Sequence, residues 1–211
     1  MKCGLIIMTM NKPTYDIELD LKNQGYKHII GIDEAGRGPL MGPVVAAGVY
    51  IPDGFDTSEI NDSKKLSAKK REYLHDKIVA ECPHAIAKVD EKMIDEINIR
   101  EATKLAMRNV IYLANYADIA IIDGNFIPEN IDITAKAIIG GDHLSVSIAA
   151  ASIVAKAVRD MIVMTYHNKY PIYGWDRNKG YGTQEHMEAI KIYGPSPYHR
   201  KTFGGVKEYV R

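Results

Sequence analysis

Four acids stand where a folded chain could bring them together. Asp33 and Glu34 are adjacent and close an apolar stretch (Ile29, Ile30, Ile32), Asp123 closes another, Ile119 to Ile122, and Asp142 follows Gly140-Gly141 just ahead of a long apolar segment. Carboxylate oxygens are the donors that hard divalent cations take. Carboxylates forced close together repel, and some protonate unless cations sit between them. A cluster of these four therefore predicts a metal site, and two divalent ions held this way suit phosphoryl transfer. Taken singly, each acid has a plainer role: Asp123 as a turn former before Gly124, Asp142 as a helix cap.

Gly36-Arg37-Gly38 follows the first two acids directly. Glycines let a backbone approach a ligand closely. Exposed N–H and C=O groups suit a ribose 2′-hydroxyl, which is both donor and acceptor and separates RNA from DNA at one nucleotide. The plainer reading is a tight turn before Pro39. Tyr181 lies between Gly180 and Gly182, poorly placed for a core, and its ring suits stacking on a sugar or base. His199 and Arg200 suit phosphate contact, and Lys64, in the polar loop Asp62-Ser-Lys-Lys65, has the reach for the same task. Their plainer readings are a loop tyrosine over the core edge and solvated charges.

The elements that must position these residues follow from pattern. A first helix is expected over about Thr14 to Lys22. A strand leads to Asp33, and Val44 to Tyr50 reads as its hairpin partner. Neighbouring strand side chains point to opposite faces, so Asp33 and Glu34 are expected to share a site only if the backbone leaves strand geometry there. Ser67 caps a helix to about Ala80, residues 84–89 form a strand, and Asn98 with Glu101 opens a long amphipathic helix. Residues 119–122 and 136–139 read as strands, 145–167 as a largely buried helix, and Thr183 caps a helix closed by Gly194-Pro195. Early strands with interleaved helices give an α/β fold around a mixed sheet.

The 211 residues are 46% hydrophobic and 26% charged, with zero net charge and no low-complexity run. Residues 1–155 carry 17 basic and 22 acidic side chains, and residues 156–211 carry 10 and 5. An acidic body beside a basic C-terminal quarter suits a metal-dependent nuclease, with acids for cations and bases for phosphates. No apolar run reaches membrane-spanning length, and the opening Met1 to Met8 is a poor signal peptide. Cys3 and Cys82 show no metal or redox spacing, which fits a reduced cytoplasm. A nucleotide-binding ATPase would want a Gly-x-x-x-x-Gly-Lys-Ser/Thr loop, and the chain has none.

Taken in order, several segments resemble type 2 ribonuclease H, most closely the bacterial ribonuclease HII group. They are Gly31-Ile-Asp-Glu-Ala-Gly-Arg-Gly-Pro39, Asp62-Ser-Lys-Lys-Leu-Ser67, Asp123-Gly-Asn125, Gly141-Asp142, Ile148 to Lys156, Arg159-Asp160, Lys179-Gly-Tyr-Gly-Thr183 and His199-Arg200. The resemblance spans roughly residues 15 to 205. It implies a ribonuclease H-like fold, a mixed five-stranded sheet flanked by helices, with a helical C-terminal extension. It implies cleavage of RNA in RNA–DNA hybrids and nicking 5′ of single ribonucleotides in duplex DNA, leaving 3′-hydroxyl and 5′-phosphate ends. Asp33, Glu34, Asp123 and Asp142 become the metal-binding catalytic acids, serving two Mg²⁺ or Mn²⁺ ions with substrate. Gly36, Arg37 and Gly38 become the backbone reader of the 2′-hydroxyl, and Tyr181 the ring stacked on the ribose at the RNA–DNA junction. Asp160, a turn past Lys156, reads as a structural ion-pair partner. A non-catalytic binding domain on the same fold would have lost one or more of the acids, and none is lost. Thr202 stands where the family often has Ser. The tail, Val206 to Arg211, lacks the Gln-led, aromatic-ended motif by which some archaeal members bind a sliding clamp. The expected division is residues 1–27 as an extension and first helix, 28–170 as the catalytic domain, and 171–211 as a basic, tyrosine-rich segment packed on it. A cytoplasmic monomer is expected.

Overall fold

The structure is a computed structural model that describes residues 12–210. The opening segment with Cys3, and the last residue, lie outside them. Among the described residues, five strands form one sheet: β1 (Ile29–Ala35), β2 (Val44–Val49), β3 (His84–Val89), β4 (Ile119–Asp123) and β5 (Thr134–Ile138), in the order β3-β2-β1-β4-β5. β1 pairs antiparallel with β2 and parallel with β4, and β5 extends the parallel side. The mixed sheet expected from the sequence is present, and β5 begins two residues earlier than its apolar pattern suggested.

Two helices cover the sheet, and side-chain alternation along β1 explains how. Ile30 and Ile32 point to one face and pack with Ala102, Ala106 and Val110 of α3 (Glu91–Leu113). Ile29 points to the other face, toward Ile148 of α5 (Val146–Lys169). Gly31 shares that face, and a side chain there would collide with the α5 backbone at Ser147 and Ile148. Hence a glycine sits mid-strand, where it is otherwise unfavourable. α5 is capped by the Ser145 hydroxyl, which accepts from the Ile148 N–H. Glu18 of α1 (Asp16–Asn23) is buried against the same end and accepts from Ser145 Oγ and the Ser147 N–H. An acid at that position also meets the positive end of the helix. α2 (Ala68–Glu81) starts at Ser67 as its N-cap and packs beside α5 through Leu74 and Ile78.

Asn98 caps a helix as expected: its Oδ1 accepts from the N–H groups of Arg100 and Glu101. A further helical stretch precedes it, capped by Asp90, and the two join at Asn98, whose φ is 66°. Glu101 pairs with Lys104 at 3.1 Å.

After β5 comes a one-turn helix, α4 (Gly141–Leu144), then α5. The chain returns through a short 3-10 turn at Pro171–Tyr173, α6 (Trp175–Asn178) and α7 (Gln184–Tyr193), the last capped by Thr183 and closed at Gly194. Trp175, Tyr173, Ile190 and Val206 form a separate small core with Val163 of α5 and with Leu40 and Met41 of the loop after β1. Residues 171–210 are thereby tied to the segment that follows Asp33 and Glu34.

Candidate active site

β1 and β4 run parallel and stop pairing at Ile32 and Ile122. The next residues, Asp33 and Asp123, emerge on the α5 face by alternation. Glu34 points to the other face, because β1 stays paired with β2 through Ala35. The expected departure from strand geometry therefore comes later, at Gly36, whose φ is +100°. Both acids still border one cavity, since a cavity capping a strand end is reached from either face. It has a volume of about 240 Å³ and is lined on one side by Asp33, Glu34 and Asp123, on another by Gly36, Arg37, Gly38 and Tyr181, and along α5 by Ser152 and Lys156.

The electrostatics of the acids are strained. Asp33 is buried, and burial first, then the Glu34 and Asp123 charges, hold its carboxyl well above the ordinary range; hydrogen bonds from Ser152 and the Glu34 N–H oppose this. Burial also raises Glu34, against the nearby Arg37 guanidinium at 3.3 Å. Asp123 is raised by burial and then by Asp142, while its Oδ1 accepts from the Gly141 N–H at 2.7 Å. Asp142 is buried just beyond, with Lys64 Nζ 3.7 Å and His143 Nε2 3.6 Å from its carboxylate. Burial lowers the Lys64 ammonium, but Asp142, Asp62, Asp33 and Asp123 outweigh it and leave its pKa raised.

Crowded, desolvated carboxylates of this kind fit divalent cations. Among the described residues no three His, Cys, Asp or Glu side chains converge tightly enough to hold an ion alone. Mg²⁺ accepts such a site, because it binds through one or two carboxylates and takes waters or phosphate oxygens for the rest.

A model of the ribonuclease HII family matches residues 30–206, the span that holds all of these groups. The chain belongs to the ribonuclease HII family. It is therefore a metal-dependent endoribonuclease of the ribonuclease H type, acting on RNA–DNA. The ribonuclease HII of Chlamydia muridarum is 50% identical over 191 residues, 89% of this chain and 87% of that protein. That of Geotalea uraniireducens is 50% identical over 199 residues, 93% and 91%. Among solved structures, ribonuclease HII of Archaeoglobus fulgidus, determined in complex with PCNA, is 29% identical with a TM-score of 0.73, covering 84% of this chain and 95% of that one. Bst-RNase HIII in complex with Mn²⁺ is 18% identical with a TM-score of 0.70, covering 86% and 68%, and shares the fold.

Within this ribonuclease HII fold, two expected contacts need correction. The sequence suggests phosphate contact for His199 and Arg200, but they are 1% and 0% exposed. Arg200 donates to the carbonyls of Gly36, Arg37, Pro39 and Gly42. His199 lies between Ser196 and His186. A basic residue after an irregular stretch looks solvated in sequence, yet here it supplies the donors that a buried, non-helical loop needs for its carbonyls. Tyr181 is 51% exposed, and its Cε1 lies 3.5 Å from where a Gly38 side chain would begin. Lys64 is exposed at the rim. Asp160 pairs with Lys156 at 2.6 Å and with Arg71 at 3.7 Å.

Sequence reasoning assigned no role to Ser152 or Arg159 and gave Lys156 only a place beside Asp160, yet all three line the cavity from α5. The signal was available: they are polar at spacings of four and three residues along a stretch, 148–159, otherwise made of Ala, Ile and Val, which places them on one face. His143, beside both Asp142 and Asp62, was also missed.

Proposed function

We propose that this ribonuclease HII both cleaves the RNA strand of RNA–DNA hybrids and nicks duplex DNA 5′ of a single embedded ribonucleotide, leaving 3′-hydroxyl and 5′-phosphate ends. The observation that carries the reading is that Asp33, Glu34 and Asp123, the Gly36–Gly38 backbone and the Tyr181 ring all border one small cavity.

The hydrogen bonding of the loop supports a sugar-reading role. Arg200 occupies the carbonyls of Gly36, Arg37, Pro39 and Gly42, Arg159 those of Met41 and Pro43, and the Arg200 N–H that of Leu40. Among the described residues this leaves the Gly38 carbonyl without a protein donor, beside the unpaired N–H groups of Arg37 and Gly38. One acceptor next to donors, at the wall of a cavity, is what a 2′-hydroxyl requires. A half-exposed ring beside them suits stacking on the same ribose.

Asp33, Glu34, Asp123 and Asp142 would hold two divalent ions, which on binding supply an activated water and a stabilised leaving 3′-oxygen. Both Mg²⁺ and Mn²⁺ suit carboxylate sites, and the Mn²⁺ complex of Bst-RNase HIII supports the second. Arg37, 3.3 Å from Glu34, orients that carboxylate, and Lys64 and Lys156 place positive charge where a scissile phosphate would enter. The protein acts as a cytoplasmic monomer in this reading. Among the described residues no helix is long and apolar enough to cross a membrane.

The test is a DNA duplex carrying one ribonucleotide, incubated with the protein and Mg²⁺ or Mn²⁺. A nick 5′ of that nucleotide, absent from the all-DNA control, is expected. Cleavage of hybrids with an intact single-ribonucleotide duplex would sink the finer claim and leave the family's activity standing.

A further inference from the structure

Arg159 lies in the middle of α5 and is 1% exposed. All three guanidinium nitrogens donate to backbone carbonyls: Nε to Pro43 at 3.3 Å, Nη2 to Met41 at 3.2 Å and Nη1 to Lys179 at 3.1 Å. The first two carbonyls belong to the loop that carries Gly36–Gly38. The third belongs to the turn that carries Tyr181. One side chain thus joins the sugar-reading loop and the stacking ring to α5. Two turns earlier on the same face, the helix carries Ser152, which borders the same cavity as Asp33 and lies 3.0 Å from Ser63.

The fit around Arg159 is close. A side chain at Gly36 would overlap the Arg159 guanidinium and stand 2.7 Å from the Pro43 carbonyl, so Gly36 is glycine partly to admit Arg159. The Leu40 N–H donates to the Gly180 carbonyl at 2.8 Å and completes the bridge between loop and turn. A side chain at Gly180 would press on Met41 Sδ at 2.7 Å. An ammonium cannot replace this arrangement, because it lacks the planar fork that sends three donors in fixed directions.

We propose that Arg159 is a positioning residue that sets the register between the sugar reader and the catalytic acids, and so fixes how strictly the enzyme needs a ribose at one place. This rests on the function proposed above. A reader held loosely must fail most where the substrate offers a single ribose. A continuous RNA tract offers a ribose at every step, so some alignment remains productive.

The experiment compares wild type, Arg159→Lys and Gly180→Ala on two substrates, a duplex with one ribonucleotide and a hybrid with a continuous RNA strand. Assays run well below each protein's melting temperature. Gly180→Ala leaves Arg159 in place and wedges loop and turn apart, so it decides the matter if Arg159→Lys does not fold. The expected result is a fall in kcat/KM of about thirtyfold or more on the single ribonucleotide, against about threefold or less on the RNA strand. Equal losses on both substrates would show a merely structural role and overturn the proposal, as would no loss on either. A wild type that cleaves hybrids and leaves the single-ribonucleotide duplex intact would instead defeat the underlying reading of function. That outcome is distinguishable because it needs no variant.

Discussion

The two sides of the cavity are built on opposite principles. The acid side, Asp33, Glu34 and Asp123, sits on regular strands and is left electrostatically unsatisfied, its carboxyl pKa values raised by burial. The reader side, residues 36–43 with the segment 171–210, is irregular in backbone and densely hydrogen-bonded. Two buried arginines and a buried histidine pair hold it. A site that must recruit cations keeps charge in excess. A site that must hold a shape ties up its loop carbonyls, and among the described residues the one left without a donor, that of Gly38, belongs to a residue lining the cavity. Repulsion among the acids is tolerable because the sheet, rather than their own bonding, fixes their positions.

The largest effect that would break this comparison is on the acid side. Asp33→Asn and Asp123→Asn should each lower cleavage by about 10²–10³-fold or more, the scale on which one preorganised charged group acts. Removing a buried like charge should leave the melting temperature unchanged or higher. Near wild-type turnover, or a large drop in stability, would mean these carboxylates are structural.

The glycine pair sharpens the reader side. Gly36→Ala forces a side chain onto a residue with φ of +100° and into Arg159, and should destabilise by about 2–4 kcal/mol in urea titration. Gly38→Ala meets only the Tyr181 ring edge, at 3.5 Å, and should cost less than about 1 kcal/mol. It should nevertheless reduce cleavage at a single ribonucleotide, because the added methyl occupies the space a ribose would need. Equal stabilities for the two variants would remove the distinction.

The smallest effect is one of sign with pH, read without divalent ions. Burial lowers His186, and burial together with His186 lowers His199 from 6.5 to about 3. Folded histidines that resist protonation contribute stability that is complete above pH 6.5 and lost as pH falls below it, for His199 down to about 3, by up to about 1.4 kcal/mol per pH unit for each group. The acids do the reverse: with folded pKa values raised, they favour the folded state as pH falls and oppose it as pH rises through those values. His199→Gln should therefore flatten the loss of stability on acidification, and Asp33→Asn should steepen it. Adding Mg²⁺ at pH 7 should raise the melting temperature of wild type more than that of Asp33→Asn. Shifts of the same sign in both variants would contradict the contrast.

The acid side was the more legible in sequence because its signals are local. An apolar run ending in Asp33-Glu34, another ending at Asp123-Gly124, and caps at Ser67, Asn98 and Thr183 follow from strand and helix chemistry within a few residues. The reader side was half legible. Gly36-Arg37-Gly38 and Tyr181 stood out by type. What holds them did not, because Arg200 is more than 150 residues along the chain from the carbonyls it serves. Exposure cannot be read from charge alone, so His199 and Arg200 were expected at the surface.

By itself, then, the sequence determined the mixed sheet, the acids at its strand ends and the loop beside them, since periodicity, turns and caps act over short range. Tertiary structure alone decided which polar groups are buried and what they hold. Asp33 and Glu34 share a cavity while still in strand geometry because β1 outruns its parallel partner. Arg159 and Arg200 became internal donors because a buried irregular loop leaves its carbonyls no partner except a distant side chain.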